Sequence, residues 1–195
     1  MMKRWMSVLA LAASLLPALL QAAPRVQFET NHGNVVVELA PKAAPQTVKN
    51  FLRYVADGSY DGSLFHRIVP GFVVQGGGYN QQYQQLPTYD PVVNESIGGL
   101  SNKRGTIAMA RTQAVDSATR QFYFNLVNNT NLDGAGQAGY TVFGQVVSGL
   151  EVLDKLAQTP TQYSSILRAN NVPTTPVILR HVTLLPDQPA AKKSK

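Results

Sequence analysis

Residues 65–78 read FHRIVPGFVVQGGG, two short apolar arms about a Pro70-Gly71 turn, ending on three consecutive glycines. The arms, Leu64 to Val69 and Phe72 to Val74, have the β-branched and aromatic content of a hairpin. Residues i and i+2 of a strand share a face, which puts Arg67 beside Phe65 and Val69, with Gln75 in the other arm. Arginine is almost never fully buried without a partner. The guanidinium and the carboxamide therefore either close a structural hydrogen-bond network or face something outside the chain. Taken alone, the hairpin favours the first reading. His66 points to the opposite face and reads as structural.

Working outward, VQFETNHGNVVVELA (26–40) predicts two strands about a turn at Asn31 to Asn34, with Val35, Val37 and Leu39 alternating. APQTVKNFLRYVADG (44–58) predicts a helix. Pro45 suits its first turn, Val48, Phe51, Leu52 and Val55 fall on one face, and Gly58 ends it. Residues 77–104 are rich in Gly, Gln, Tyr and Asn without sustained periodicity, and a connection of that length needs an explanation. GTIAMA (105–110), QFYFNLV (121–127), YTVFGQVV (140–147) and TPVILRHVTLL (175–185) read as further strands. GLEVLDKLA (149–157) is a short second helix with Leu150, Leu153 and Leu156 on one side. About eight short strands with two helices indicate a mainly β fold, a closed eight-stranded antiparallel barrel capped by two α-helices.

The chain has 195 residues, no cysteine and a formal charge of +6. Lys3 and Arg4, the apolar run WMSVLALAASLLPALL (5–20) and the small residues Ala22 and Ala23 have the order of a signal peptide over residues 1–22, interrupted by Pro17. Cleavage there leaves about 170 residues, enough for one domain with its own core. The domain is expected over 23–186, followed by a disordered basic tail, 187–195. Pro17 within the apolar run and the lack of a charged flank after it argue against a stable membrane anchor, and absence of cysteine in an exported domain favours a bacterial periplasm. Without Lys3 and Arg4 the charge falls from +6 to +4, and Lys192, Lys193 and Lys195 lie in the tail. The body is then near neutral, without the basic stripe of a nucleic-acid reader.

Several motifs invite other chemistries. GAGQAG (134–139) spells a dinucleotide fingerprint, yet a polar loop precedes it and a strand follows, so it reads as a loop. His32, His66 and His181 are scattered without ligand spacing, which leaves no metal site. No serine has the surroundings of a hydrolase nucleophile.

Taken in order, FHRIVPGFVVQGGG, GTIAMAR (105–111), DSATRQFYFN (116–125) and LDG (132–134) with YTVFGQVVSGLEVLDKL (140–156) resemble the cyclophilin peptidyl-prolyl isomerases, in their bacterial exported branch. The likeness spans about residues 25–185. It implies the barrel described above, isomerisation of X-Pro bonds without cofactor or metal, and a groove on the outer barrel surface. Motif by motif, it places Arg67 on the catalytic arginine, with Gln75 and Gln121 as the other two catalytic positions. It gives substrate-binding positions to Phe72, Val73, Ala110, Arg111, Phe122, Tyr123, Leu132 and Tyr140. With these motifs present, the outward-facing reading of Arg67 wins.

Three departures stand out. Tyr123 replaces the last Phe of the family triplet, Arg111 stands where many relatives have Asn, and Asn131 stands where relatives carry an aromatic. The last implies weak binding of the inhibitor cyclosporin. The expected partners are X-Pro segments of unfolded or partly folded exported proteins, the location is the periplasm, and a monomer is expected. The alternative is a chaperone-like binder of Pro-containing segments with little turnover. Nucleic acid is not an expected partner.

Overall fold

The computed structural model describes residues 23–186. The expected signal peptide, 1–22, and basic tail, 187–195, lie outside the described residues. Eleven strands and two α-helices are present: β1 (Arg25–Thr30), β2 (Gly33–Leu39), α1 (Pro45–Ala56), β3 (Ser63–Leu64), β4 (Arg67–Val69), β5 (Val73–Gly76), β6 (Thr106–Met109), β7 (Phe122–Asn125), β8 (Val142–Ser148), α2 (Leu150–Leu156), β9 (Thr161–Ser164), β10 (Ala169–Pro173) and β11 (Ile178–Leu184). A single 3-10 turn, Thr130–Asp133, precedes β8.

Nine strands form one antiparallel sheet in the order β3-β11-β1-β2-β8-β6-β7-β5-β4, curled into a half-barrel around the core. This corrects the expected closed eight-stranded barrel: there are nine strands, and the ladder is open. The reason lies in the opening segment. Leu64 pairs with Ile178 of β11, whereas Arg67 pairs with Gln75 of β5. Between them, Phe65 and His66 leave the ladder, and the Phe65 N–H donates to the Val177 carbonyl (3.0 Å). One expected strand is thereby split into the two end strands of the sheet. The break also upsets the simple face rule, because Phe65 packs into the core against Phe122 and Phe124 while Arg67 faces outward.

Alternation along the strands produces two apolar clusters. Ile68, Val74, Ile107, Phe122, Phe124 and Phe143 point inward, joining Phe28 and the buried face of α1. Their neighbours Val73, Ala108, Tyr123 and Val142 form a second, smaller cluster on the outer face. Period-two geometry therefore dictates both a core and a surface groove from the same strands.

Helix α1 begins with Pro45 as expected and buries Val48, Phe51, Tyr54 and Val55, with Leu52 packed at the edge. It has no capping side chain of its own. Glu95, from the long connection, accepts hydrogen bonds from Gln46 N (3.0 Å), Thr47 N (2.9 Å) and Thr47 Oγ1 (2.7 Å). A carboxylate there satisfies orphan N–H groups and opposes the helix dipole. At the other end of α1, the Tyr89 N–H donates to the Tyr54 hydroxyl (2.7 Å), Tyr89 Oη donates to Asp57, and the Arg53 guanidinium covers the Tyr89 ring at 3.3 Å. The unpatterned 77–104 segment is thus an ordered strap along α1, fixed at both ends.

Helix α2 buries Val152, Leu153 and Leu156, with Leu150 at the margin of the core. The β9–β10 ribbon is a separate two-stranded unit that the sequence reading did not anticipate, and β10 lies alongside β4. Among the described residues no helix is long and apolar enough to cross a membrane.

Candidate active site

One rung of cross-strand partners runs across five strands of the outer face. Arg67 pairs with Gln75, Gln75 with Tyr123, Tyr123 with Ala108, and Ala108 with Val142. Directly opposed residues in antiparallel strands are about 4.5–5.5 Å apart, so one residue from each of β4, β5, β7, β6 and β8 lies in a row. The row is polar at its Arg67 end and apolar at its Val142 end.

Arg67 is half-buried, and its Nη1 donates to Gln75 Oε1 at 3.3 Å. Gln75 Nε2 in turn donates to Gln121 Oε1 at 3.0 Å. A guanidinium has donors only, so it dictates the polarity of the whole relay. Gln75 must present its oxygen to Arg67, and Gln121 must present its oxygen to Gln75. The Arg67 carbon lies 6.0 Å from the centre of the Phe72 ring. No carboxylate among the described residues forms an ion pair with Arg67.

Next to Arg67 is a cavity of about 200 Å³ lined by Phe72, Val73, Gln75, Ala110, Arg111, Tyr123, Leu132 and Tyr140. Every residue given a substrate-binding position from sequence lies here except Phe122. Phe122 is fully buried in the core, edge-on to Phe28 at 5.4 Å, and it cannot reach a groove ligand. The strand period already contained this correction, since Gln121 and Tyr123 share one face and Phe122 must take the other. A second cavity of about 200 Å³ shares Gln75, Ala110 and Arg111 with the first and is lined further by Gln85, Thr112, Ser117, Thr119 and Gln121.

The floor and walls are held by hydrogen bonds. Tyr123 Oη donates to Asn102 Oδ1 at 2.8 Å, within a buried network in which Asn125 Nδ2 also donates to Asn102 Oδ1 (3.1 Å) and to Thr106 Oγ1 (2.9 Å). The hydroxyl that distinguishes Tyr123 from Phe therefore has a partner beneath the groove. Burial, followed by the nearby Tyr140 and Asp133, pushes the Tyr123 phenol far above its ordinary pKa, so it stays a neutral donor. Asn129 Nδ2 donates to the Phe72 carbonyl at 3.0 Å and fixes that end of the slot.

The opposite wall depends on Arg111. Its Nε donates to Gly139 O (3.0 Å) and its Nη2 to Ala138 O (3.0 Å), and its guanidinium lies 4.7 Å from the Tyr140 ring centre. The GAGQAG segment is a tight loop between the 3-10 turn and β8, as its sequence context predicts. Gly134 adopts φ +88°, and a Cβ there would lie 2.3 Å from the Gln137 carbonyl, so glycine is required.

Asn131 is exposed on the 3-10 turn and does not line the cavity. His66 is buried, with its ring edge-on to Tyr79 at 4.7 Å and Nδ1 without a hydrogen-bond partner. Among the described residues no cluster of His, Asp or Glu could hold a metal ion. One residue that the sequence reading passed over, Arg120, is buried directly behind Gln121.

The model of the family described as cyclophilin type peptidyl-prolyl cis-trans isomerase/CLD matches residues 25–184. The chain belongs to the cyclophilin family. It is 45% identical over 163 residues to peptidyl-prolyl cis-trans isomerase B of Escherichia coli K12, covering 82% of this chain and 98% of that protein. It is likewise 45% identical over 161 residues to peptidyl-prolyl cis-trans isomerase A of Dickeya dadantii, covering 82% and 84%. The fold superimposes on a crystal structure of a cyclophilin type isomerase from Cryptosporidium parvum with a TM-score of 0.66 at 24% identity, covering 85% of this chain and 99% of that one. This cyclophilin carries its cavity on the outside of the curled sheet, over the Val73, Ala108, Tyr123 and Val142 cluster.

Proposed function

We propose that this cyclophilin accelerates rotation about X-Pro bonds in exported proteins, seating the proline ring in the slot beside Arg67. The observation that carries the reading is the rung itself: a donor-only guanidinium, oriented by two glutamines, at the end of an apolar slot.

Rotation of a prolyl amide breaks no bond but must overcome a resonance barrier of about 18–20 kcal/mol. The two end states differ by only about 0.5–1 kcal/mol. The useful site is therefore one that binds the twisted amide more tightly than either planar isomer. Twisting localises the lone pair on the prolyl nitrogen and turns it into an acceptor. Arg67 has donors left to meet it, since among the described residues its side chain bonds only to Gln75. Phe72, Val73, Tyr123 and Leu132 hold the pyrrolidine ring, so rotation is confined to the residues preceding it. Gln121, whose oxygen is committed to Gln75, keeps its NH2 for a substrate carbonyl. No proton transfer or covalent step is needed.

Exchange between cis and trans forms of a short X-Pro peptide, followed by NMR, tests the reading. Loss of a preorganised donor of this kind costs about 10²–10³ in rate, so Arg67→Ala should remain folded and lose activity on that scale. Arg67→Lys should recover little, because an ammonium lacks the planar fork. A folded Arg67→Ala with near-normal kcat/KM would sink the mechanism. Export is supported by the order of residues 1–23, and mass spectrometry of the periplasmic protein should find a chain starting near Ala23. A full-length chain held in the membrane would refute export and leave the chemistry standing.

A further inference from the structure

Among the described residues, Arg120 is the only lysine or arginine that is buried, at 1% exposure, and no carboxylate pairs with it. Desolvation lowers its pKa, the mark of a cation held where water would suit it better. Its compensation comes from three backbone carbonyls. Nε donates to Gly77 O (2.6 Å), Nη1 to Pro87 O (2.7 Å) and Nη2 to Ser59 O (2.6 Å). The Tyr54 and Tyr60 rings flank the guanidinium at 5.1 and 5.4 Å, and Tyr60 Oη donates to the Arg120 carbonyl (2.7 Å). One side chain thus ties the end of α1, the exit of β5 and the strap together.

The next residue along is Gln121, whose side chain extends to the groove. It rests on the glycine that follows the Arg120-bound carbonyl: a Cβ on Gly78 would lie 2.5 Å from Gln121 Cγ, Cδ and Nε2. Gly78 does not have a positive φ, so its requirement is for space and not for conformation. The Gly77–Gly78 peptide is consequently gripped from inside by Arg120 and pressed from outside by the Gln121 carboxamide. Gln121 orients Gln75, and Gln75 orients Arg67.

We propose that Arg120 is a positioning residue for isomerisation: by clamping the Gly77–Gly78 backbone it sets the wall that aims Gln121, and through Gln75 it aims the Arg67 guanidinium. The inference rests on the assignment of Arg67 to the prolyl nitrogen. It also gives the triple glycine and the strap a role in turnover.

The test uses Gly78→Ala and Arg120→Lys, each alone and combined with Gln121→Ala. Readouts are kcat and KM for an X-Pro peptide by NMR exchange, the side-chain amide resonances of Gln75 and Gln121, and the melting temperature. A misplacement of about 1 Å can cost about a hundredfold in rate, so Gly78→Ala should lower kcat about tenfold or more. KM should change far less, the melting temperature should stay near that of the parent, and both glutamine amide resonances should shift. In the Gln121→Ala background, where the clash is gone, Gly78→Ala should cost nothing further. Arg120→Lys should shift the same resonances and lower kcat, with little further loss in the Gln121→Ala background. Should it fail to fold, Arg120→Gln, which keeps two N–H donors, is measured in its place. Unshifted resonances with unchanged kcat would remove the role from Arg120. Unchanged kcat in Gly78→Ala, or a loss that adds in full to that of Gln121→Ala, would overturn the proposal even where Arg67→Ala is inactive. Full activity of Arg67→Ala would overturn the parent mechanism and this inference with it.

Discussion

Acidification places a proton on His66 only at a cost to the fold. The imidazole is 7% exposed, Nδ1 has no partner, the Tyr79 ring lies edge-on at 4.7 Å, and Arg67 is the next residue. Burial first and the Arg67 charge second lower its pKa from 6.5 to about 4. In the unfolded chain the ring takes up a proton near pH 6.5, whereas in the native state it does not until about pH 4. Between those values the unfolded state binds more protons, so stability falls as pH falls. The contribution is complete above pH 6.5, about 2 kcal/mol of it is lost by pH 5 and about 3 kcal/mol by pH 4. His181 works in the opposite sense, its pKa raised by Asp61, but it is exposed and screened. Urea unfolding followed by circular dichroism at pH 7.5, 6.5, 5.5 and 4.5, conditions to be set on the parent and His66→Phe, isolates the term. The difference in ΔG between the two proteins should grow in favour of the variant by about 2–3 kcal/mol across that range. A difference that does not change with pH would show that His66 does not control this part of the acid response.

Three further outcomes follow from the geometry. Tyr123→Phe deletes the hydroxyl bonded to Asn102 and should lower stability by about 0.5–1.5 kcal/mol in chemical denaturation; no loss would mean that the network does not depend on it. Glu95→Ala leaves the first turn of α1 uncapped and should cost about 1–2 kcal/mol, with kcat/KM for a short peptide unchanged. Asn131→Trp adds an aromatic to an exposed rim. With about 100 Å² of new apolar contact at about 25 cal/mol per Å², cyclosporin should bind roughly a hundredfold tighter, while kcat/KM should change less. Tight inhibition of the unmodified protein, measured by titration calorimetry, would remove that role from Asn131.

The elements with strong periodicity were legible before the structure. Val48, Phe51 and Val55 mark the buried face of α1, and the alternation of Val35, Val37 and Leu39 marks β2. The groove was legible through the family resemblance, because its lining comes from separate motifs that no single periodic pattern connects. Three features were hidden for different physical reasons. The split between β3 and β4 depends on the Val177 carbonyl, more than a hundred residues away in the chain, capturing the Phe65 N–H. The β9–β10 ribbon is built from TQYS and ANNVP, whose polarity gives little strand pattern. Arg120 is balanced by backbone carbonyls, which leave no trace in side-chain identity. Phe122 was readable but misassigned, because a motif match overrode the alternation of its own strand.

The sheet order also sets a timetable for the nascent chain. The last strand, β11, lies between β3 and β1, pairing residues 25–30 with partners near the far end of the domain. All five strands that supply the Arg67–Val142 rung have been synthesised before β11 begins. Contacts of such long sequence separation form late and slow folding. Until β11 arrives, β1 has only β2 beside it, and its outer backbone edge is open to pairing with another chain. The strands of the groove are thus all present in the chain before β11, and the outer edge of β1 is covered only when β11 pairs with it. Loss of β11 would leave every residue of the rung in the chain and remove the strand that keeps neighbouring molecules apart.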